Sequence, residues 1–101
     1  MSHEQLKQRI RQAVQDTAYQ KAINRISLFG SHLHKDAKPD SDIDLLIEFS
    51  PEAIIGLFQL VDIKQQLEKY LKNEVDLLTP EGLSPYFRSD VIKEALLLYE
   101  R

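Results

Sequence analysis

The sequence predicts a small α/β domain, a short mixed β-sheet of about three strands packed with helices in the order α-β-β-α-β-α. Three observations lead there. The apolar spacing alternates between a helical and a strand period within 101 residues. The first two strand-like runs have only a polar loop between them, a β-β step that a doubly wound parallel sheet does not contain. Leu, Ile, Val and Phe make up 32 of the 101 residues, and 29% of the chain is charged, enough apolar material for a core and too much for disorder. Residues 1–101 are expected to form one domain.

From Ser2 to about Asn24, Leu6, Ile10, Ala13, Val14, Ala18, Ala22 and Ile23 recur at three- and four-residue spacing, which predicts an amphipathic helix. Arg25 to Phe29 is a β-favouring run that stops at Gly30, a strand followed by a tight turn. Ser31 to Ser41 is polar, contains Pro39 and has no sustained period, so it is a loop. Asp42 to Phe49 predicts a strand with Ile43, Leu45, Ile47 and Phe49 on one face and Asp42, Asp44, Leu46 and Glu48 on the other. Ser50-Pro51-Glu52 combines a capping residue, a first-turn proline and an early acid, predicting a helix from there to about Leu71. Its apolar positions include Ile54, Ile55, Phe58, Val61, Leu67 and Leu71. Asn73 to Thr79 predicts a third strand, with Asp76 and Leu78 on one face. A last helix is expected from about Ser89 or Asp90 to Tyr99, its Leu96-Leu97-Leu98 run touching both the core and a partner.

Thirteen basic against 16 acidic residues leave a net charge of −3, no basis for coating nucleic acid or an anionic membrane. The chain has no Cys, which excludes a disulfide framework and thiolate metal sites. No apolar run approaches the ~18 residues of a membrane span, and the charged start differs from a signal peptide, so the expected location is the cytoplasm.

Two Asp at i and i+2 on a strand point the same way with Cα atoms roughly 6.6–6.8 Å apart, so Asp42 and Asp44 can share one cation or bridge two. Mg²⁺ takes hard oxygen ligands and is commonly held by one or two carboxylates plus substrate phosphates. Gly30-Ser31 lets a phosphate approach the backbone closely, with N–H groups and the Ser31 hydroxyl as donors. Either motif alone is common; Gly30-Ser31, ten residues, then Asp42-x-Asp44 has a chance frequency of roughly one in a thousand. Asp76 can project from a neighbouring strand toward the same ion, and three crowded carboxylates repel one another unless a cation is present. Ser41, immediately before Asp42, either orients a carboxylate or is only loop. Glu48 lies about 13 Å from Asp42 along the strand and falls outside the site. Lys64, Lys69 and Lys72 read as a solvated helix face.

The segment LFGS, the loop of ten, DIDLLIEF and the later EVDLL resemble the minimal nucleotidyltransferase (MNT) domain of the DNA polymerase β-type superfamily. The similarity is greatest to small MNT antitoxins paired with HEPN-domain toxins. The resemblance implies transfer of AMP from ATP, with two Mg²⁺ ions, onto a tyrosine hydroxyl of a partner HEPN ribonuclease in a hetero-oligomer. It implies that Gly30 and Ser31 hold the triphosphate, with Ser41 beside them, and that Asp42, Asp44 and Asp76 are catalytic and bind metal. The loop reads His32-Leu33-His34-Lys35 where the family commonly has Arg-x-Arg-Gly, so imidazoles replace forked, permanently charged donors. That replacement supports an alternative, a catalytically weakened MNT domain that neutralises its partner by binding alone. His32 and His34 as zinc ligands are disfavoured by the absence of a third nearby His. A small-molecule acceptor would want a further domain, and a nucleic-acid acceptor an Arg-rich aromatic surface.

Overall fold

Ser2 opens the first helix with a reciprocal cap: its hydroxyl accepts from the Gln5 N–H at 3.1 Å while the Gln5 side chain accepts from the Ser2 N–H at 2.9 Å. In the computed structural model, which describes residues 1–30 and 42–101, helix α1 spans His3–Asp16. Strands β1 (Ile23–Phe29) and β2 (Ile43–Phe49) follow, then helix α2 (Leu57–Leu71), strand β3 (Val75–Leu78), helix α3 (Arg88–Glu94) and strand β4 (Leu96–Glu100). Short 3-10 turns occupy Gln20–Ala22 and Pro80–Gly82. Among the described residues no helix is long and apolar enough to cross a membrane.

The sheet is mixed, in the order β3-β2-β1-β4. β1 runs antiparallel to both β2 and β4, and β3 runs parallel to β2 with Ile43 opposite Val75 and Asp44 opposite Asp76. Helices α1 and α2 cover one face. Leu6, Ile10 and Val14 of α1 and Ile63, Leu67 and Leu71 of α2 close over Ile26, Leu28, Ile43, Leu45, Ile47, Val75, Leu77 and Leu98. The other face carries Asp44 and Asp76 at one end; further along, Leu46 is buried and the Pro80–Gly82 turn lies against β2.

Four expectations are corrected. Helix α1 ends at Asp16 rather than near Asn24, because Ile23 is worth more as a strand residue, fully buried and paired with Phe49. Ser50-Pro51-Glu52 does not start a helix. Ser50 donates its N–H to Ala22 O at 2.8 Å and accepts from the Ala53 N–H at 2.9 Å, so the segment is a tight turn leaving β2. Its hydroxyl donates to the Glu52 carboxylate, and that bond holds the Glu52 pKa below its ordinary value. α2 begins only at Leu57, and Ile54 and Phe58 are 94% and 84% exposed instead of facing the core.

The last two corrections concern the C-terminal end. α3 stops at Glu94, and Leu96-Leu97-Leu98-Tyr99 is a strand on the free edge of β1, not a helix. β-favouring Tyr99 and the alternation of buried Leu98 with exposed Leu97 suit a pleated edge, where Arg25 clamps Glu100 at 2.8 Å. Among the described residues the sheet therefore has four strands rather than about three.

Candidate active site

β1 ends at Gly30, whose φ of +76° lies in the left-handed region that side chains disfavour. The glycine is also required by space. A Cβ built there would stand 2.9 Å from Cγ of Asp44 and overlap its carboxylate oxygen. The backbone of the β1 terminus therefore lies directly against the Asp44 carboxylate, because Phe29 and Asp44 are cross-strand partners.

Asp44 has Asp76 as its partner on the other side. Hydrogen-bonded strands lie about 4.8 Å apart, and paired residues of a parallel ladder point to the same face, so the two carboxylates stand side by side. Asp42, exposed, is one step before β2, and alternation returns it to the same face as Asp44. Its neighbour is anchored by the Ile43 N–H donating to Glu74 O at 2.9 Å. Asp42 and Asp76 line a cleft of about 680 Å³ with Lys64, Glu68, Asn73, Glu74 and Val75.

Gly30, Asp44 and Asp76 thus lie at one end of one sheet face, with Asp42 one step before β2 beside the cleft that Asp76 also lines. Ser31 and Ser41, together with His32, His34 and Lys35, lie outside the described residues. Among the described residues, no three His, Cys, Asp or Glu side chains are grouped closely enough to hold a metal ion together. An open pair of carboxylates is the donor set Mg²⁺ uses when waters and substrate phosphates complete its shell. The glycine, which leaves room at the Asp44 carboxylate, fits the same use.

Glu48 is at the far end of the strand from Asp42, 3.7 Å from Arg25. Lys64 keeps a solvated side chain, 44% exposed, as expected of its helix face, yet it has a further role. It lines the cleft and lies 3.7 Å from Glu68, whose carboxylate accepts from the Val75 N–H at 3.0 Å. Glu68 was not singled out from sequence. The available signal was its i,i+4 spacing from Lys64, one turn before a helix end that leads directly into β3.

The family profile described as polymerase beta, nucleotidyltransferase matches residues 9–101. A candidate protein adenylyltransferase of Methanocaldococcus jannaschii is 38% identical over 74 residues, covering 73% of this chain and 77% of that protein. The protein adenylyltransferase MntA of Thermococcus cleftensis is 32% identical over 74 residues, covering 73% of each. A solved structure described as a minimal nucleotidyltransferase superposes with a TM-score of 0.74 at 34% identity, covering 95% of both chains. A structure of a tri-AMPylated HEPN toxin with its MNT antitoxin, from Shewanella oneidensis, shares the fold with a TM-score of 0.67 at 19% identity, covering 99% of this chain and 74% of that one. With Asp42, Asp44 and Asp76 at the starts of β2 and β3 and this agreement over nearly its whole length, the chain belongs to the polymerase β nucleotidyltransferase family, in its minimal form.

Proposed function

We propose that the chain is an antitoxin-type protein adenylyltransferase that moves AMP from ATP to a tyrosine hydroxyl of a partner HEPN ribonuclease toxin. The observation that carries this reading is the cross-strand pair Asp44–Asp76 with Gly30 against Asp44. The relatives named as protein adenylyltransferases and the toxin–antitoxin neighbours support it. In this account residues 1–101 act as one domain, in the cytoplasm and in a hetero-oligomer with the toxin, without contacting nucleic acid or membrane.

Asp42 and Asp44 hold Mg²⁺, two ions being expected, and Asp76 is the third carboxylate. Gly30 and Ser31 receive the triphosphate, with Ser41 orienting the neighbouring acid. The bound ions supply charge neutralisation at the α-phosphate and at the departing pyrophosphate. The acceptor hydroxyl oxygen forms a bond to the α-phosphorus as the bond to the β-phosphate bridging oxygen breaks. Its proton passes to Asp76, and pyrophosphate leaves with the bonding electron pair. No covalent intermediate on the protein is required, so the side chains contribute position and charge.

The test is co-purification with the HEPN partner, incubation with ATP and Mg²⁺, and intact-mass analysis of both chains beside an Asp42→Ala/Asp44→Ala control. The reading requires a gain on the partner in multiples of one AMP that the control lacks. A stable complex with no gain supports the binding-only alternative, to which the His32-Leu33-His34-Lys35 loop points.

A further inference from the structure

β3 is a four-residue edge strand, and it carries Asp76. One side of it is secured by the parallel ladder to β2, reinforced where the Ile43 N–H donates to Glu74 O. Along the strand successive N–H groups point to opposite sides, and an edge leaves the outward ones unpaired. The Val75 N–H, one residue before Asp76, does not end in open solvent. It donates to the Glu68 carboxylate at 3.0 Å.

The local chain explains how a helix residue reaches that N–H. α2 ends at Leu71, Lys72 turns the backbone through the left-handed region at φ 54°, and β3 begins three residues later. So short a connection brings the last turn of α2 beside the start of β3. Glu68 lies in that turn, and Lys64, one turn earlier, stands 3.7 Å from the same carboxylate oxygen that receives the Val75 N–H. A hydrogen bond to a charged acceptor is shorter and stronger than a neutral one, and Lys64 restricts the rotamers from which Glu68 makes it. Both residues line the cleft that Asp42 and Asp76 also line.

We propose that Glu68 is a positioning residue for Asp76: its carboxylate, steadied by Lys64, pins the start of β3 so that the Asp76 carboxylate is held beside that of Asp44. The assignment rests on the reading of Asp76 as a metal ligand. It adds a support from a different element of the fold, one that acts through the backbone. Such outer partners matter because a ligand that must find its position on binding spends affinity on ordering itself.

The experiment compares the wild-type chain with Glu68→Ala, Glu68→Gln, Lys64→Met and Asp76→Asn. Binding of Mn²⁺ with α,β-methylene-ATP, which cannot release pyrophosphate, is followed by calorimetry, and amide-proton exchange at Val75 by NMR. Glu68→Gln keeps an oxygen that accepts from the Val75 N–H; Glu68→Ala does not. The expected result is an affinity lower by about tenfold in Glu68→Ala, retained within about twofold in Glu68→Gln, with a smaller loss in Lys64→Met. Val75 exchange should accelerate most in Glu68→Ala, less in Lys64→Met, and stay protected in Glu68→Gln.

Unchanged affinity in Glu68→Ala overturns the proposal. So does a Glu68→Gln variant as weak as Glu68→Ala while its Val75 amide stays protected, because the negative charge and not the backbone bond would then be what matters. If Asp76→Asn binds as tightly as wild type, the metal-ligand reading of Asp76 fails, and positioning fails with it. Slow Val75 exchange that still depends on Glu68 would then identify a strand cap with no part in the site.

Discussion

Gly30 and Asp44 lie so close across the β1–β2 ladder that no side chain fits on the glycine without displacing the carboxylate. The site and the backbone conformation are therefore coupled at one position. Gly30→Ala should cost about 1–2 kcal/mol through the left-handed backbone alone. The displaced carboxylate should lower the transfer rate by about a hundredfold. Urea unfolding and initial-rate measurements on the same preparation separate the two effects. A variant as active as wild type would dissociate the glycine from the chemistry.

Asp44 and Asp76 are same-face partners of like charge, an arrangement that costs stability by about 0.2–1 kcal/mol relative to a neutral pair. Without divalent ions, Asp76→Asn should therefore melt at a higher temperature than wild type. Adding Mg²⁺ should raise the wild-type melting temperature more than that of the variant, since an ion bound only by the folded state stabilises it by mass action. Thermal scans with and without Mg²⁺ read both differences. An Asp76→Asn chain that melts lower in the absence of ions would mean the second carboxylate has a structural partner.

Leu97 and Leu98 take opposite faces of β4, the first 42% and the second 4% exposed. Leu98→Ala should cost about 2–4 kcal/mol, while Leu97→Lys should stay within about 0.5 kcal/mol of wild type. Denaturant midpoints distinguish this strand arrangement from a helix, in which Leu97 would also contribute to the core.

The strand placement of the candidate carboxylates is more legible in the sequence than the C-terminal architecture, for a physical reason. The period of two in Asp42-x-Asp44 and in Val75 to Leu78 assigns each carboxylate to a face once the strands form, and the β1 and β2 apolar runs are short and well bounded. Leu96-Leu97-Leu98 has no period, so only the free edge of β1 decides for a strand, and that edge exists only in the assembled sheet. Ser50-Pro51-Glu52 has the composition of a helix start. The tertiary bond from Ser50 to Ala22 O uses it as a turn. Glu68 was hidden because its partner is a backbone N–H seven residues away, which no side-chain pattern displays.

Phe58 is 84% exposed, whereas Ile63 in the same helix is 2% exposed. Phe58→Ser should leave the unfolding free energy within about 0.5 kcal/mol, and Ile63→Ala should lower it by about 2–5 kcal/mol. Chemical denaturation of the two variants checks which face of α2 meets the core. A large loss in Phe58→Ser would place the helix the other way round.

The carboxylates at the starts of β2 and β3 are proposed to direct transfer of a nucleotide, not of a terminal phosphate. ATP labelled at the α- or at the γ-phosphorus is supplied to the chain together with the proposed HEPN toxin and Mg²⁺, and the label that stays on protein is followed. The α label should become covalently attached to the partner and the γ label should leave as pyrophosphate, with both signals absent in Asp42→Ala/Asp44→Ala. Retention of the γ label on protein, or α-label attachment that survives loss of both aspartates, would contradict it.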